Sequence, residues 1–283
     1  MQTLPPALAL AAAPLVLMAG CINLSFDRGY NRDVASKLPA RMDMPIAVDT
    51  RNGAVSITAD PSATQVSISA RLHARTQERV DAMKVVSETS PDGTLKLSVA
   101  WPDGTVQSGD GASFDISLPA VKGVTVKSSN GSITLAGLAG PANLDTSNAS
   151  VTIKGHNGPV DIDTSNGSVS LDAITGTINA DSSNASINIR NAVAAVTAKS
   201  SNGSVRIEQT PAAKAAPIVV DSSNASITLV LSPAFSGTLD VSTSNASISL
   251  PSNLGKITKK SKTSAQPPAR APPPAPAPPP PAP

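Results

Sequence analysis

At 283 residues the chain is long enough for one or two domains with a sizeable core, and 22 Lys plus Arg against 20 Asp plus Glu leave it almost neutral. That balance gives no reason to expect nucleic acid, and no single-sign field for steering a charged partner. Aromatic residues are confined to Phe26, Tyr30, Trp101, Phe114 and Phe235, so the core must be built from Val, Ile, Leu and Ala. Recurrent Gly, Ser, Asn and Thr favour short strands and tight turns over long helices.

Taken in chain order, residues 7–20 form an apolar stretch ending in small residues, with Cys21 directly after it. The stretch is too short for a membrane span and suits a signal peptide over 1–20. Leu17-Met18-Ala19-Gly20-Cys21 resembles a bacterial lipobox, which implies an acylated Cys21 as the mature N-terminus and membrane anchor. Met18 stands where Leu is usual, and no Lys or Arg precedes the apolar run. The alternative is a buried or free thiol behind an ordinary signal. A linker over 21–39 then leads to a domain spanning 40–256.

The first part of that domain alternates irregularly. Ile46/Val48 and Val55/Ile57 are the exception: nine residues apart, they fit the nonad spacing of the coils further on, and each pair carries apolar residues two apart, as one face of a strand requires. Val66/Ile68/Ala70/Leu72, Leu95/Leu97/Val99/Trp101 and Phe114/Ile116/Leu118 predict antiparallel or irregular strands. Between them, Thr76–Glu88 reads as one helix. The region is expected to cap an open end of the fold, because an uncovered strand edge invites aggregation.

From about residue 121 to 250 the chain repeats. Ser-Asn-(Gly/Ala)-Ser-(Ile/Val) recurs with its Asn at Asn130, Asn148, Asn166, Asn184, Asn202, Asn224 and Asn245, and Arg51-Asn52-Gly53-Ala54-Val55 is a partial copy upstream. A finer period of nine lies beneath. Val124, Ile133, Ala142, Val151, Val160, Val169, Ile178, Ile187, Val196 and Val205 are evenly spaced, and so are Val126, Leu135, Leu144, Ile153, Ile162, Leu171, Ala180, Ile189, Ala198 and Ile207. Each nonad therefore offers a short strand with two inward aliphatics, preceded by a small residue that turns the chain. One such strand cannot bury its face alone, whereas stacked copies make a continuous core. Two nonads per coil predict an all-β parallel solenoid, with 18-residue coils rising ~4.8 Å each, behind a strand-rich cap with one short helix. Pro211–Pro217 and Ser232–Ser236 read as loop insertions. The stretch 257–283 turns basic and then runs to Pro and Ala, a composition that predicts an extended, disordered tail.

Phe114-Asp-Ile-Ser-Leu-Pro119, Val124-Thr-Val126 and Ser129-Asn-Gly-Ser-Ile133 with its successors resemble the bacterial putative-adhesin family of β-strand-repeat proteins, over roughly residues 40–255. The resemblance implies a right-handed parallel β-helix-like solenoid of largely unassigned function, in a group whose members are often secreted, lipidated or membrane-anchored. It carries no catalytic residues over to this chain.

Three motifs have rival readings. The Asn row serves either the turns, through amides bonded to backbone or to each other and largely hidden, or a ligand. Asn also tolerates positive φ. Lys127, Asp145, Asp163, Asp181, Lys199 and Asp221 form a second row, either a solvated charged rim or a set of carboxylates gathering Ca²⁺ between coils. Rows of Ser and Thr suggest ice or polysaccharide, but no aromatic occurs from Asp115 to Ala234 to stack on a sugar. His73 and His156 lie far apart, with His156 expected as an exposed turn residue. Asp161, Asp163 and Asp172 repeat the rim pattern and form no isolated cluster. Catalytic residues, metal ligands and cofactors are therefore expected to be none. The sequence points to an exported, non-catalytic envelope lipoprotein, a scaffold or adhesin-like module held at the outer membrane by its lipid, with an envelope or cell-wall partner. A cation- or glycan-binding solenoid is the alternative, and a β-helix carbohydrate enzyme the third.

Overall fold

The computed structural model describes residues 29–40, 44–211, 213 and 216–251; Cys21, the apolar leader and the Pro/Ala tail lie outside them. Two sheets face each other across one core. The second sheet contains β8 (Val124–Ser128), β10 (Ala142–Thr146), β12 (Val160–Thr164), β14 (Ile178–Ser182), β16 (Val196–Ser200), β18 (Ile218–Ser222) and β20 (Leu239–Thr243). The first contains β9 (Ile133–Ala136), β11 (Val151–His156), β13 (Val169–Ile174), β15 (Ile187–Ala192), β17 (Val205–Gln209), β19 (Ile227–Val230) and β21 (Ile248–Ser249). Within each sheet neighbouring strands pair in parallel one coil apart, as in Ile162↔Ala180 and Ile153↔Leu171. The fold is a parallel β-solenoid of about 18 residues per turn.

The nonads position the core. Every member of both aliphatic series, Val124 to Val205 and Val126 to Ile207, is at most 3% exposed. Residues between them point outward and are mostly exposed. Coils approach closely where the small residue turns the chain. A Cβ on Gly167 would overlap the Ala149 carbonyl oxygen of the preceding coil, so that position tolerates no side chain without displacement.

Chain order and spatial order diverge in the N-terminal region. Strands β2 (Ile46–Asp49) and β3 (Val55–Ala59) form a coil that pairs in parallel with β8 and β9. Strands β6 (Leu95–Ala100) and β7 (Gly111–Leu118), later in sequence, lie on the other side of β2 and β3, again in parallel. The chain thus leaves β7, passes over the β2–β3 coil, and resumes at β8. Antiparallel strands close this end: β4 (Gln65–Ala74) pairs with β7, and β5 (Lys84–Thr89) with β6.

Two expectations are corrected here. Residues 30–39, read as linker, form the edge strand β1 (Tyr30–Pro39), paired antiparallel with β4 from Tyr30↔Ala74 to Pro39↔Gln65. Its alternate residues Val34 and Leu38 pack against the core, which explains the ordering of a segment with little net hydrophobicity. The helix expected over Thr76–Glu88 is only α1 (Gln77–Ala82). Thr76 caps it by accepting the Arg79 N–H at 3.3 Å. Extended backbone at Met83 ends it, and Val85 and Val86 then join β5, where β-branched side chains pack better than on a helix. Among the described residues no helix is long and apolar enough to cross a membrane.

A buried clasp holds the cap. Arg79 donates to both oxygens of Asp110 from Nε, at 3.0 and 2.9 Å, and from Nη2 at 2.6 Å; Asp110 is 1% exposed. The Gln107 N–H adds a bond at 2.8 Å. Burial pushes the Asp110 carboxyl up, but the bonds from Arg79 and Gln107 outweigh it and hold it below the ordinary carboxylate range.

Candidate functional site along the solenoid edge

The turn that carries the repeated Asn is built from both faces of the chain. Two residues before five of the seven repeated Asn an inward hydroxyl closes the turn: Thr164, Ser182, Ser200 and Ser222 accept the N–H three residues on at 2.9–3.2 Å, and Ser128 that of Gly131 at 3.3 Å. These hydroxyls are buried. Their signal lies in the sequence, since Ser or Thr stands at that position in all seven copies.

The Asn side chains form one ladder. Asn148 Nδ2 donates to Asn130 Oδ1 at 2.8 Å, and the same bond links Asn166 to Asn148, Asn184 to Asn166, Asn202 to Asn184 and Asn224 to Asn202. Asn245 donates to Asn224 at 2.7 Å, and Asn130 to Asn52 at 2.5 Å. Asn52 is therefore an eighth rung, the one that the upstream partial copy pointed to. Its own Nδ2 donates to the Asp110 carbonyl at 2.7 Å, tying the ladder to the cap clasp. Every rung points the same way, so the amide dipoles add along the axis. Two details differ from expectation. The row is exposed, not hidden. No ladder Asn adopts positive φ; Ala173 and Asn191 do, at the opposite turn.

The outward columns of the two sheets carry different charge patterns. On the first sheet Lys154, Asp172 and Arg190 stand in register, so signs alternate, and Asn191 Nδ2 donates to Asp172 at 2.8 Å. On the second, Asp145, Asp163 and Asp181 stand in register between Lys127 and Lys199, with Asp221 beyond. Asp161, one column over, lies between Asn143 and Asn179. Thr125, Lys127, Asn143, Asp145, Asp161 and Asp163 line a shallow hollow of about 220 Å³. Exposed like charges ~5 Å apart repel by only ~1 kcal/mol in water, so the core tolerates the row easily. Among the described residues no group of three or more His, Cys, Asp or Glu is arranged to hold a metal.

His156 is not the exposed turn residue expected from sequence. It occupies an inward corner column with Leu138, Ile174 and Ala192 and is 1% exposed. Its Nε2 lies 2.8 Å from the Gly140 carbonyl, a bond that needs the proton on Nε2, and Nδ1 is buried without a hydrogen-bond partner. Burial pushes its pKa down, against the pull of the Gly140 and Pro159 carbonyls, so the ring stays neutral. His73 sits on β4, with Nδ1 3.0 Å from Asn31 Oδ1. The two histidines share no element.

Residues 154–265 match the model of a domain of unknown function, DUF7330. No curated protein matches the chain. Among solved structures, a putative adhesin from Bacteroides fragilis aligns at 18% identity and TM-score 0.50, covering 77% of this chain and 97% of that one. A putative adhesin from Parabacteroides merdae aligns at 13% identity and TM-score 0.40, covering 78% and 97%. A putative cell adhesion protein from Clostridium sporogenes does so at 11% and 0.42, covering 64% and 100%. The chain thus shares the β-solenoid fold of the Bacteroides putative adhesin, consistent with the putative-adhesin family of unassigned function that its nonads resemble.

Proposed function

We propose that this chain is an exported, non-catalytic interaction module of the bacterial envelope, anchored at the outer membrane through a lipid on Cys21. The observation that carries the reading is coil-to-coil repetition on the outside of the solenoid. The Asn ladder, and the Ser rows on either side of it, give each coil the same small polar groups in register. Such a surface suits extended, multivalent contact better than chemistry at one point. The fold shared with a putative adhesin supports the same reading.

Two measurements on the full chain test it. Cys21→Ser moves the protein from the membrane fraction to the soluble one; a variant that stays membrane-bound after a salt wash contradicts the anchor. A pull-down from envelope extract, with the Pro/Ala tail present or deleted, recovers an envelope or cell-wall partner. Turnover of a polysaccharide would instead favour an enzyme.

Cation binding between coils, the alternative that the Asp145–Asp163–Asp181 column suggests from sequence, would need these carboxylates to converge, and among the described residues they are not grouped to hold a metal. Melting temperature measured against calcium concentration separates the two. A calcium-dependent rise that disappears in Asp163→Asn supports the cation site, and no change leaves the column a charged rim.

A further inference from the structure

Asn followed by Gly is a chemically labile pair, because the glycine nitrogen has no side chain beside it to keep it from the Asn carboxamide carbon. The chain carries this pair at Asn52, Asn130, Asn157, Asn166 and Asn202. Four of these are ladder rungs, and the ladder holds both ends of each carboxamide. Asn166 Nδ2 donates to Asn148 while its Oδ1 accepts from Asn184, and Asn130 and Asn202 are held in the same way by their neighbours. Asn52 is held between Asn130 and the Asp110 carbonyl. The next N–H is tied down too at Gly131, Gly167 and Gly203, by Ser128, Thr164 and Ser200. At these three rungs neither the carbon open to attack nor the nitrogen that would attack it moves unless the coil opens.

Asn157 stands apart, at the opposite turn. It is exposed, and its carboxamide is held at one end only, where the Thr175 hydroxyl donates to Oδ1 at 2.7 Å. That bond polarises the carbonyl and leaves the nitrogen loose. Among the described residues neither Asn157 Nδ2 nor the Gly158 N–H has a hydrogen-bond partner. The fold nonetheless requires glycine at 158. A Cβ there would lie 2.2 Å from the Gly140 carbonyl oxygen of the preceding coil, so close stacking keeps the labile pair in place. The Asn157 backbone is fixed by the same stacking: its N–H donates to the Leu138 carbonyl, and its carbonyl accepts from Gly140, each at 2.9 Å.

We propose that Asn157 is a site of spontaneous covalent modification, the Asn–Gly pair that the folded solenoid leaves free to cyclise while the ladder shields the other four. The Gly158 nitrogen loses its proton to water and bonds to Asn157 Cγ. The Cγ–Nδ2 bond breaks, and Nδ2 takes up a proton and leaves as ammonia. Water then opens the succinimide ring at either carbonyl, giving aspartate or isoaspartate. Both products add one negative charge to the turn. Isoaspartate also lengthens the backbone by one carbon, between the two bonds that fix Asn157 to Leu138 and Gly140, so this corner loses its fit to the preceding coil.

The test is to age the full chain near neutral pH, folded and in urea, and to follow conversion at each of the five Asn by peptide mass spectrometry with isoaspartate detection. In the folded chain Asn157 converts at least about tenfold faster than any ladder Asn. In urea, where every pair is open, the five rates fall within about threefold of one another. Asn157→Gln, whose carboxamide carbon is one bond further from the Gly158 nitrogen, abolishes the early conversion of the folded chain. A ladder Asn that converts as fast as Asn157 in the folded chain overturns the proposal. A lead of Asn157 that persists undiminished in urea overturns it too, because the local sequence and not the fold would then set the rate.

Discussion

Residues 30–118 and residues 124–250 bury the same kind of aliphatic core, yet they reach it by different logic. In the coils each contact is one of a series: Ile162 meets Leu144 and Ala180 as each of those meets its own neighbours. In the cap each contact is single. Asp110 has one Arg79, and the Asn52 carboxamide has one carbonyl to reach at that end. Repetition spreads the work of fixing register over many equivalent bonds, whereas the cap concentrates it in a few buried polar ones. The two regions should therefore fail differently when a single side chain is changed.

The largest effect is expected in the middle of the stack. Ile162 is fully buried, and Ile162→Asp places an unpaired charge between coils, costing about 5 kcal/mol, enough to unfold a typical domain. Asp161→Lys, one residue away and outward, changes stability by less than about 0.5 kcal/mol. Equal sensitivity of the two in thermal melts breaks the register. Next comes the cap: Asp110→Ala strands the Arg79 guanidinium and costs about 3 kcal/mol in denaturant unfolding. The backbone carbonyl that accepts from Asn52 remains in the variant, so the damage stays local and amide exchange should rise in α1 and β7 before it rises in β13.

Smaller effects sharpen the comparison. Asn166→Leu removes one rung with neighbours on both sides; since the row is exposed and water can replace the lost bonds, about 1 kcal/mol is expected. An unchanged melting temperature would mean that the ladder contributes nothing to the fold and would make it the first surface to test for binding. His156 contributes least, and only with pH. Its folded pKa lies below the unfolded value of about 6.5, so the unfolded chain takes up the proton first. Stability therefore falls as pH drops from 6.5 towards the folded value, by at most about 1.4 kcal/mol per pH unit. His156→Leu should flatten that slope between pH 7 and 5. Asp110, held low, titrates beneath this window.

The division between coils and cap also decides what could be read from sequence. A period of nine fixes which side chains point inward, because a shift by one residue would expose every aliphatic at once. Both aliphatic series, and the insertions after Gln209 and Leu231, were legible for that reason. Beyond the nonad pair Ile46/Val48 and Val55/Ile57, the cap has no period. Nothing local reveals that β6 and β7 stack outside β2 and β3, since that order depends on which edge each strand meets in three dimensions. Residues 84–89 have a pattern that either a helix or a strand accepts, and pairing with β6 decides. His156 was misread because a polar residue beside Gly155 suggests an exposed turn, whereas its place in an 18-residue column with Leu138 and Ile174 points inward. The Asn row was visible as a row; its exposure was not, since bonding between rungs does not require burial.

The central claim is that residues in one outward column climb the axis by one strand spacing per coil, including across the cap. Asp49, Lys127, Asp145, Asp163, Asp181, Lys199 and Asp221 form such a column on the second sheet. Spin labels on cysteines placed in pairs at Asp221 and each of Asp145, Lys127 and Asp49, in a Cys21→Ser background, would report it by pulsed electron resonance. Four, five and six strand steps predict backbone separations of about 19, 24 and 29 Å, rising by one spacing each time. Asp49 is the decisive label, because it lies 78 residues before Lys127 in sequence yet one step away in space. A distance from Asp221 to Asp49 that falls off this line would contradict the stacked architecture.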